Sequence, residues 1–410
     1  MRLKNFRFFS RRLTALSPAI LAIATALLVS ACSGGGSSAS PPAGGITVIP
    51  RDSSVLISWT AEANVEYWLL YSTSGSISTQ SLTASPASGK IVQAVTPPYS
   101  LGGLTNGTTY YFTLNGRKSG GPAGADSPVV SATPRIAGSA WTVGTPAGTN
   151  NLRAIAFGGQ FIAVGSNGAM FTSPDGSAWT AFPFVVATDL NAIVYNPIPV
   201  VYVAVGAAGT ILTSIDRTTW TIQNSGVAAN LLGVATNGVN FWVATGANGT
   251  IVTSPDVNNW TAAVSGTVEN LNAVTFGNGK FVAVGNAGSI VTSTNGITWQ
   301  AVTSNTAANL SGIAFSGGRF VAVGAAGAVV TSTDAVTWTA LAAITPGNLA
   351  AVTFGTQFVA VGNAGAIFNS VDGLTWTAVA SGTANDLNAI ASGGSGFVAV
   401  GTAGTNLTAF

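Results

Sequence analysis

The sequence predicts an all-β chain: a small β-sandwich followed by a seven-bladed β-propeller that is closed by a strand from its own N-terminal end. Three observations carry this expectation. Tryptophans recur at 141, 179, 220, 260, 299, 338 and 376, intervals of about 40 residues. In step with them Phe161-Ile162-Ala163-Val164-Gly165 returns with small changes at 202–206, 242–246, 281–285, 320–324, 358–362 and 397–401. The chain also holds 51 glycines and only 6% charged residues in 410, the composition of short strands joined by tight turns.

Each repeat reads as four strands. In one of them Asn270-Leu271-Asn272-Ala273-Val274-Thr275-Phe276 leads into the stretch 281–285. A Gly-x-x-Gly reversal then precedes Ser289-Ile290-Val291-Thr292-Ser293, and a turn and a strand opening on Trp299 complete the unit. A solenoid of the same period would not need to close. Here the last repeat stops at Phe410 before its fourth strand, while Ser139-Ala140-Trp141-Thr142-Val143 stands ahead of the first repeat as a fourth strand without a blade. Pairing the two closes the ring and makes residues 138–410 one domain. Stacked blades bury strands on both faces, which accounts for uncharged runs of Val, Ala, Ile and Phe. Small residues at Ala154, Ala192, Gly233, Ala273, Gly312, Ala351 and Ala389 suit crowding near the axis.

Residues 1–31 have the parts of an export signal: a basic start, an apolar run from Leu13 to Leu28, and small residues before Cys32. The run is short for a membrane span. Leu28-Val29-Ser30-Ala31-Cys32 resembles the lipobox of bacterial lipoproteins. That resemblance implies cleavage before Cys32, diacylglycerol on its sulfur and usually acylation, such as by palmitate, of the new amino group. Cys32 is the only cysteine, so it has no disulfide partner. The family further implies a bacterial cell-envelope location on a membrane, and Ser33 lacks the aspartate that retains some lipoproteins at the inner membrane; the outer membrane is expected, facing the periplasm or the cell surface. Five basic residues (Arg2, Lys4, Arg7, Arg11, Arg12) lie in the leader. Without them the chain keeps 9 basic groups against 12 acidic ones, net −3, and its basic residues are scattered, which argues against nucleic-acid binding.

Residues 32–45 read as a flexible tether without apolar periodicity. Residues 46–135 alternate as short strands, among them Ser54-Val55-Leu56-Ile57-Ser58-Trp59, Tyr67-Trp68-Leu69-Leu70-Tyr71 and Tyr110-Tyr111-Phe112-Thr113-Leu114. With Trp59 and the run Leu104-Thr105-Asn106-Gly107-Thr108-Thr109-Tyr110 they resemble a fibronectin type III domain. The resemblance implies that Trp59 fills a core and Tyr110 closes a corner; with no Arg-Gly-Asp loop, the domain is read as a spacer that is also open to binding.

Six turns have the form Ser-x-Asp/Asn-x-x-x-Trp, as in Ser173-Pro174-Asp175-Gly176-Ser177-Ala178-Trp179. They resemble the Asp-box of sialidase-type propellers and the repeats of photosystem II assembly-factor-like propellers, one residue shorter than the usual Asp-box. In such turns the carboxylate accepts backbone N–H bonds and the tryptophan packs under the hairpin. A sialidase needs an arginine cluster, a tyrosine nucleophile with a glutamate and an acid/base. The propeller region has Arg153, Arg217 and Arg319 at unrelated positions, Glu269 as its one glutamate, and tyrosines at 195 and 202. With no histidine anywhere, the usual near-neutral base and His/Cys metal sites are absent. The expectation is therefore no catalytic residue, no metal and no cofactor. The alternative is a carbohydrate-active enzyme using two of Asp189, Glu269 and Asp386 across a central channel.

One constellation remains. The residue ahead of the leucine that opens each repeat is Asn151, Asp189, Asn230, Asn270, Asn309, Asn348 and Asp386. By symmetry these seven form a ring at one mouth of the channel. Two compatible readings follow: each side chain bonds backbone in the loop entering its strand, as Asn and Asp do well, and the ring is a polar funnel for a glycan or a protein loop. The function read from the whole is a monomeric, non-catalytic, membrane-anchored binding or scaffold lipoprotein.

Overall fold

The structure is a computed structural model that describes residues 37–80, 89–183, 185–394 and 396–410. The leader and Cys32 lie outside the described residues. Two compact units are present, one of which contains Pro134–Phe410. No helix among the described residues is long and apolar enough to cross a membrane.

The smaller unit is all β. Tyr110–Lys118 pairs along one edge with Glu66–Ser72, which pairs onward with Lys90–Val95. Thr47–Arg51, Ser54–Ser58 and Tyr99–Gly102 form a second sheet. Alternation puts Val55, Ile57, Tyr67, Leu69, Phe112 and Leu114 in the interior. Trp59 is half-buried and meets Tyr67 edge-on at 5.6 Å; Tyr110 is also half-buried. Outside the interior, the Arg117 guanidinium sits 3.6 Å over the Trp68 ring.

The stretch expected to be a tether differs from that expectation over part of its length. Ser37–Ala39 is a strand paired with Gly116, Arg117 and Lys118, sharing the far edge of Tyr110–Lys118 with Val130–Ala132. Pairing of this kind draws on backbone N–H and C=O groups and needs no apolar side chains. Glycine allows the approach: a Cβ on Gly124 would stand 1.7 Å from the Ala39 carbonyl oxygen.

The larger unit is a β-propeller. Its described residues form seven four-stranded antiparallel sheets, numbered here in chain order: 152–181, 190–223, 231–264, 271–302, 310–340, 349–378, and a seventh made of 387–409 with Thr142–Val143. The first strand of each sheet packs on the first strand of the next, and that of the seventh returns to the first. Crowding there matches the small residues: a Cβ on Gly312 would lie 2.9 Å from the Ala351 Cα. The second strands are buried along their length apart from a first residue such as Val200, Lys280 or Arg319, and Phe161–Gly165 and Phe358–Gly362 are buried at every residue, because a neighbouring sheet covers each face. Each core cluster accordingly mixes two sheets, as where Ile155 and Phe161 meet Ala391, Val398 and Val400.

In the seventh sheet Leu407 faces Val143 and Thr408 faces Thr142. The preceding turn, 136–139, also comes from the far end of the sequence. Two buried amides of the sixth sheet hold it: Gln357 Nε2 donates to the Ala137 carbonyl at 2.9 Å and Asn369 Nδ2 to the Gly138 carbonyl at 2.8 Å. Trp141 donates to the same Gly138 oxygen at 3.0 Å, as Trp260 does to Val257 and Trp299 to Gly296. The seventh turn thus shares the tryptophan geometry of the turns at Trp179, Trp260 and Trp299 without the Ser-x-Asp run. Trp141 is half-buried, against the nearly full burial of Trp299.

Candidate functional site

The seven residues at the entrance of the first strands all make one contact, and it is not the one expected. Their partners lie in the preceding sheet rather than in the loop entering their own strand. Asp189 Oδ1 accepts from Asn167 N–H at 2.9 Å, Asn230 from Ala208 at 3.0 Å, Asn270 from Asn248 at 2.9 Å and Asn309 from Ala287 at 2.9 Å. Asn348 accepts from Ala326 at 3.0 Å, Asp386 from Ala364 at 2.8 Å, and Asn151 from Ala403 at 3.0 Å, so the series runs round the ring without a gap. Each backbone carbonyl meanwhile accepts from the turn of its own sheet, as Asn309 O does from Ala325 N–H at 2.8 Å. One residue therefore fastens two successive sheets.

The donor in each clasp lies in a tight turn with left-handed backbone, for example Ala287 at φ 50° and Asn248 at φ 54°. That conformation costs an L-residue about 1–2 kcal/mol, and holding its N–H in a bond helps to offset the cost. Asn309→Ala should lower stability by about 1–2 kcal/mol, whereas Asn309→Asp should be nearly neutral because Asp189 and Asp386 make the same clasp. Chemical denaturation of both variants checks this.

A second set of polar links joins neighbouring sheets nearby. Asn191, Asn272 and Asn388 each donate Nδ2 to the carbonyl of the leucine opening the next sheet (Leu231, Leu310 and Leu152), all at 2.8 Å. Arg153 is held at the first of these corners, with Nη2 2.7 Å from Asp189 Oδ2 and Nη1 2.9 Å from Asn191 Oδ1.

The Ser-x-Asp/Asn turns use their acids structurally. Asp334 Oδ1 accepts from Val336 and Thr337 N–H at 2.8 and 2.7 Å and from Ser332 Oγ at 3.0 Å. Asn295 Oδ1 makes the same set with Ile297, Thr298 and Ser293. These N–H donors hold Asp216 and Asp334 well below the usual carboxylate range. The Asn259 side chain and N–H bring Asp256 down to about 2. Burial pushes Asp175 the other way, yet the backbone and hydroxyl of Ser177 leave it lowered. A depressed folded pKa means stability present above the unfolded carboxylate pKa and lost as pH falls through the folded value. Thermal midpoints should therefore hold to about pH 4 and fall steadily toward pH 2; a flat profile over that range would contradict these bonds.

The groups considered for catalysis come from different sheets, and Asp189, Asp386, Arg153 and Tyr202 have structural partners. Asp189 and Asp386 are engaged in clasps in the second and seventh sheets, and Glu269 precedes the fourth. Arg153 is paired with Asp189, and Arg217 lies beside Gly159. Tyr202 is fully buried with its hydroxyl donating to the Gly158 carbonyl at 2.8 Å, and burial pushes it up to about 12, with Tyr195 adding and Arg217 opposing. Such a phenol is poorly suited to act as a nucleophile. No group of three or more His, Cys, Asp or Glu side chains that could hold a metal occurs among the described residues.

Sequence reasoning missed Gln357 and Asn369. One signal was available: Asn369 stands where the other repeats carry Thr172, Thr213, Thr253, Thr292, Thr331 and Thr408.

The model of the DUF6242 β-propeller domain family matches residues 234–349. No curated protein matches. Among solved structures, YCF48 bound to D1 peptide has a TM-score of 0.55 at 18% identity, covering 66% of this chain and 94% of that one. YCF48 from Cyanidioschyzon merolae has 0.54 at 18%, covering 66% and 98%. The WD40 repeats of RRP9 have 0.56 at 9%, covering 67% and 98%. At these identities the likeness is one of fold, a β-propeller.

Proposed function

We propose that this chain is a non-catalytic, lipid-anchored scaffold of a bacterial envelope: a seven-bladed propeller, carried on a fibronectin type III-like spacer, that binds a protein partner. The observation that carries it is the clasp ring. The most regular polar constellation in the chain joins sheet to sheet through backbone N–H groups, and the acids of the Asp-box-like turns are likewise engaged with backbone. The product is a rigid platform. A structurally similar propeller, YCF48, has been seen with a bound D1 peptide, which supports a protein partner over a glycan. The exposed edges of the clasps, including Asn151, Asn230, Asn309 and Asn348, remain available to such a partner.

Anchoring rests on Leu28-Val29-Ser30-Ala31-Cys32. At about 0.8 kcal/mol per buried CH₂, two or three acyl chains hold a protein far more firmly than one. Cys32→Ala should leave the precursor unprocessed by the lipoprotein peptidase and move the protein out of the acylated membrane pool, read by metabolic palmitate labelling and fractionation. Labelling of the mutant would sink the lipid anchor. The scaffold reading is tested by affinity capture of the full chain from its own membrane beside a glycan array. Hydrolysis of a sialoside or polysaccharide that Glu269→Gln abolishes, with the fold intact, would replace it with the enzyme.

A further inference from the structure

The sheets are near-copies, so a local departure stands out. At the tip of the first hairpin most repeats place Gly, Ser or Asn, as in Gly277-Asn278-Gly279 and Ser316-Gly317-Gly318. The second sheet instead places Ile198-Pro199-Val200. Ile198 is 75% exposed, and Ile215 on the neighbouring turn is 74% exposed. The tip is held from beneath: the fully buried Asn196 donates Nδ2 to the Ile198 carbonyl at 2.9 Å and to that of Pro199 at 3.3 Å. Beside it, between the second and third sheets, lies a cleft of about 680 Å³. Pro199, Val200 and Ile215 form one shoulder, and Trp242 lies in its lining. Trp242 replaces the Phe or Tyr of the other six sheets, and its buried indole N–H has no acceptor among the described residues.

The charge of the cleft is one-sided. Asp216 and Asp256 line it and no basic residue does; Arg217 reaches away, its guanidinium beside Gly159 of the first sheet. Both carboxylates are exposed and stay ionised through the physiological range because backbone and Asn259 donors hold them low.

We propose that this cleft binds an extended protein segment presenting an aliphatic side chain flanked by Lys or Arg. The aliphatic group covers the Val200–Ile215 shoulder and the cations face Asp216 and Asp256. This rests on the scaffold reading and names its contact surface.

Blade-to-blade repetition supplies a gentle variant. Asn295 does in the fourth sheet what Asp216 and Asp256 do in theirs, so Asp216→Asn with Asp256→Asn removes charge and keeps the turns. The probe is a fluorescein-labelled Ser-Lys-Ile-Leu-Lys-Ser amide, read by anisotropy on the full chain. Binding should weaken about fivefold in the double Asn variant and about tenfold in Val200→Ser with Ile215→Ser. A probe with Glu for Lys, or Ser for Ile and Leu, should not bind. Overturning results are no binding, binding indifferent to these variants, or wild-type dimers that the apolar variant dissolves, which would make a second copy the occupant. Membrane partners captured equally by wild type and variants would leave the scaffold standing while this cleft falls. Probe binding as expected with no partner captured would do the reverse.

Discussion

Deleting residues 139–143 should open the propeller at its seventh sheet and markedly lower its stability. Those residues supply the strand that faces Leu407 and Thr408, and Leu407 is fully buried. Without them the strand Asn406–Ala409 becomes an unpaired edge whose core face is exposed. Hydrogen exchange should show Asn406–Ala409 losing protection first and Gly396–Gly401 next, while the fourth sheet keeps its protection longest. Equal protection throughout would mean that the ring does not depend on this strand. Graded versions separate the contributions. Trp299→Ala should cost about 3–5 kcal/mol, whereas Trp141→Ala, at a half-buried ring, should cost about 2. Gln357→Ala should cost about 1–3 kcal/mol, because the buried Ala137 carbonyl loses its donor, and Asn369→Ala about 1 kcal/mol, because the Gly138 carbonyl keeps the Trp141 N–H. Their double mutant should fall short of the sum, since both hold one turn.

The β-propeller was legible because it is written repeatedly: Trp, Phe-x-Ala-Val-Gly and Gly-x-x-Gly recur in register, and each copy confirms the others. The seven Asn and Asp positions were legible for the same reason. Their partners were not, because periodicity fixes where a side chain stands in its repeat and is silent on which neighbouring sheet it reaches. Gln357 and Asn369 were harder still: each occurs once and acts on a carbonyl more than two hundred residues away in sequence. Ser37–Ala39 escaped for a different reason. Its pairing with Gly116–Lys118 is a backbone matter, and a run of Ser and Ala carries no side-chain pattern that announces it. The Ile198-Pro199-Val200 tip was visible only as a break in the repeat, which becomes informative once the other tips are known to be polar and the cleft beside it is seen.

A single methyl group placed at Gly285 should cost about 3 kcal/mol or more, comparable to removing a core aromatic ring. The backbone at Gly285 is ordinary extended chain at φ −161°, so any residue could adopt it. The obstacle is the clasp itself: a Cβ there would lie 1.9 Å from the Asn270 carbonyl oxygen, which accepts from Asn286 N–H at 2.9 Å. Relief requires Asn270 to retreat, and that also pulls its Oδ1 from Asn248 in the preceding sheet. Two sheets should therefore loosen together. Gly288→Ala adds a second kind of penalty, because φ is +67° and a Cβ would approach the Thr306 carbonyl oxygen to 2.0 Å. Between these two glycines lies a residue for which the sign should reverse. Ala287 is left-handed at φ 50° although it has a side chain, and its N–H is fixed by Asn309. Ala287→Gly relieves the contact between Cβ and backbone while keeping that bond; the gain of about 1 kcal/mol is partly offset by the wider freedom of glycine in the unfolded chain. The net expectation is a shift of zero to about 1 kcal/mol toward stability, measured by chemical denaturation beside Gly285→Ala. Destabilisation by Ala287→Gly with Gly285→Ala tolerated would mean that the turn is not held by the clasp geometry described.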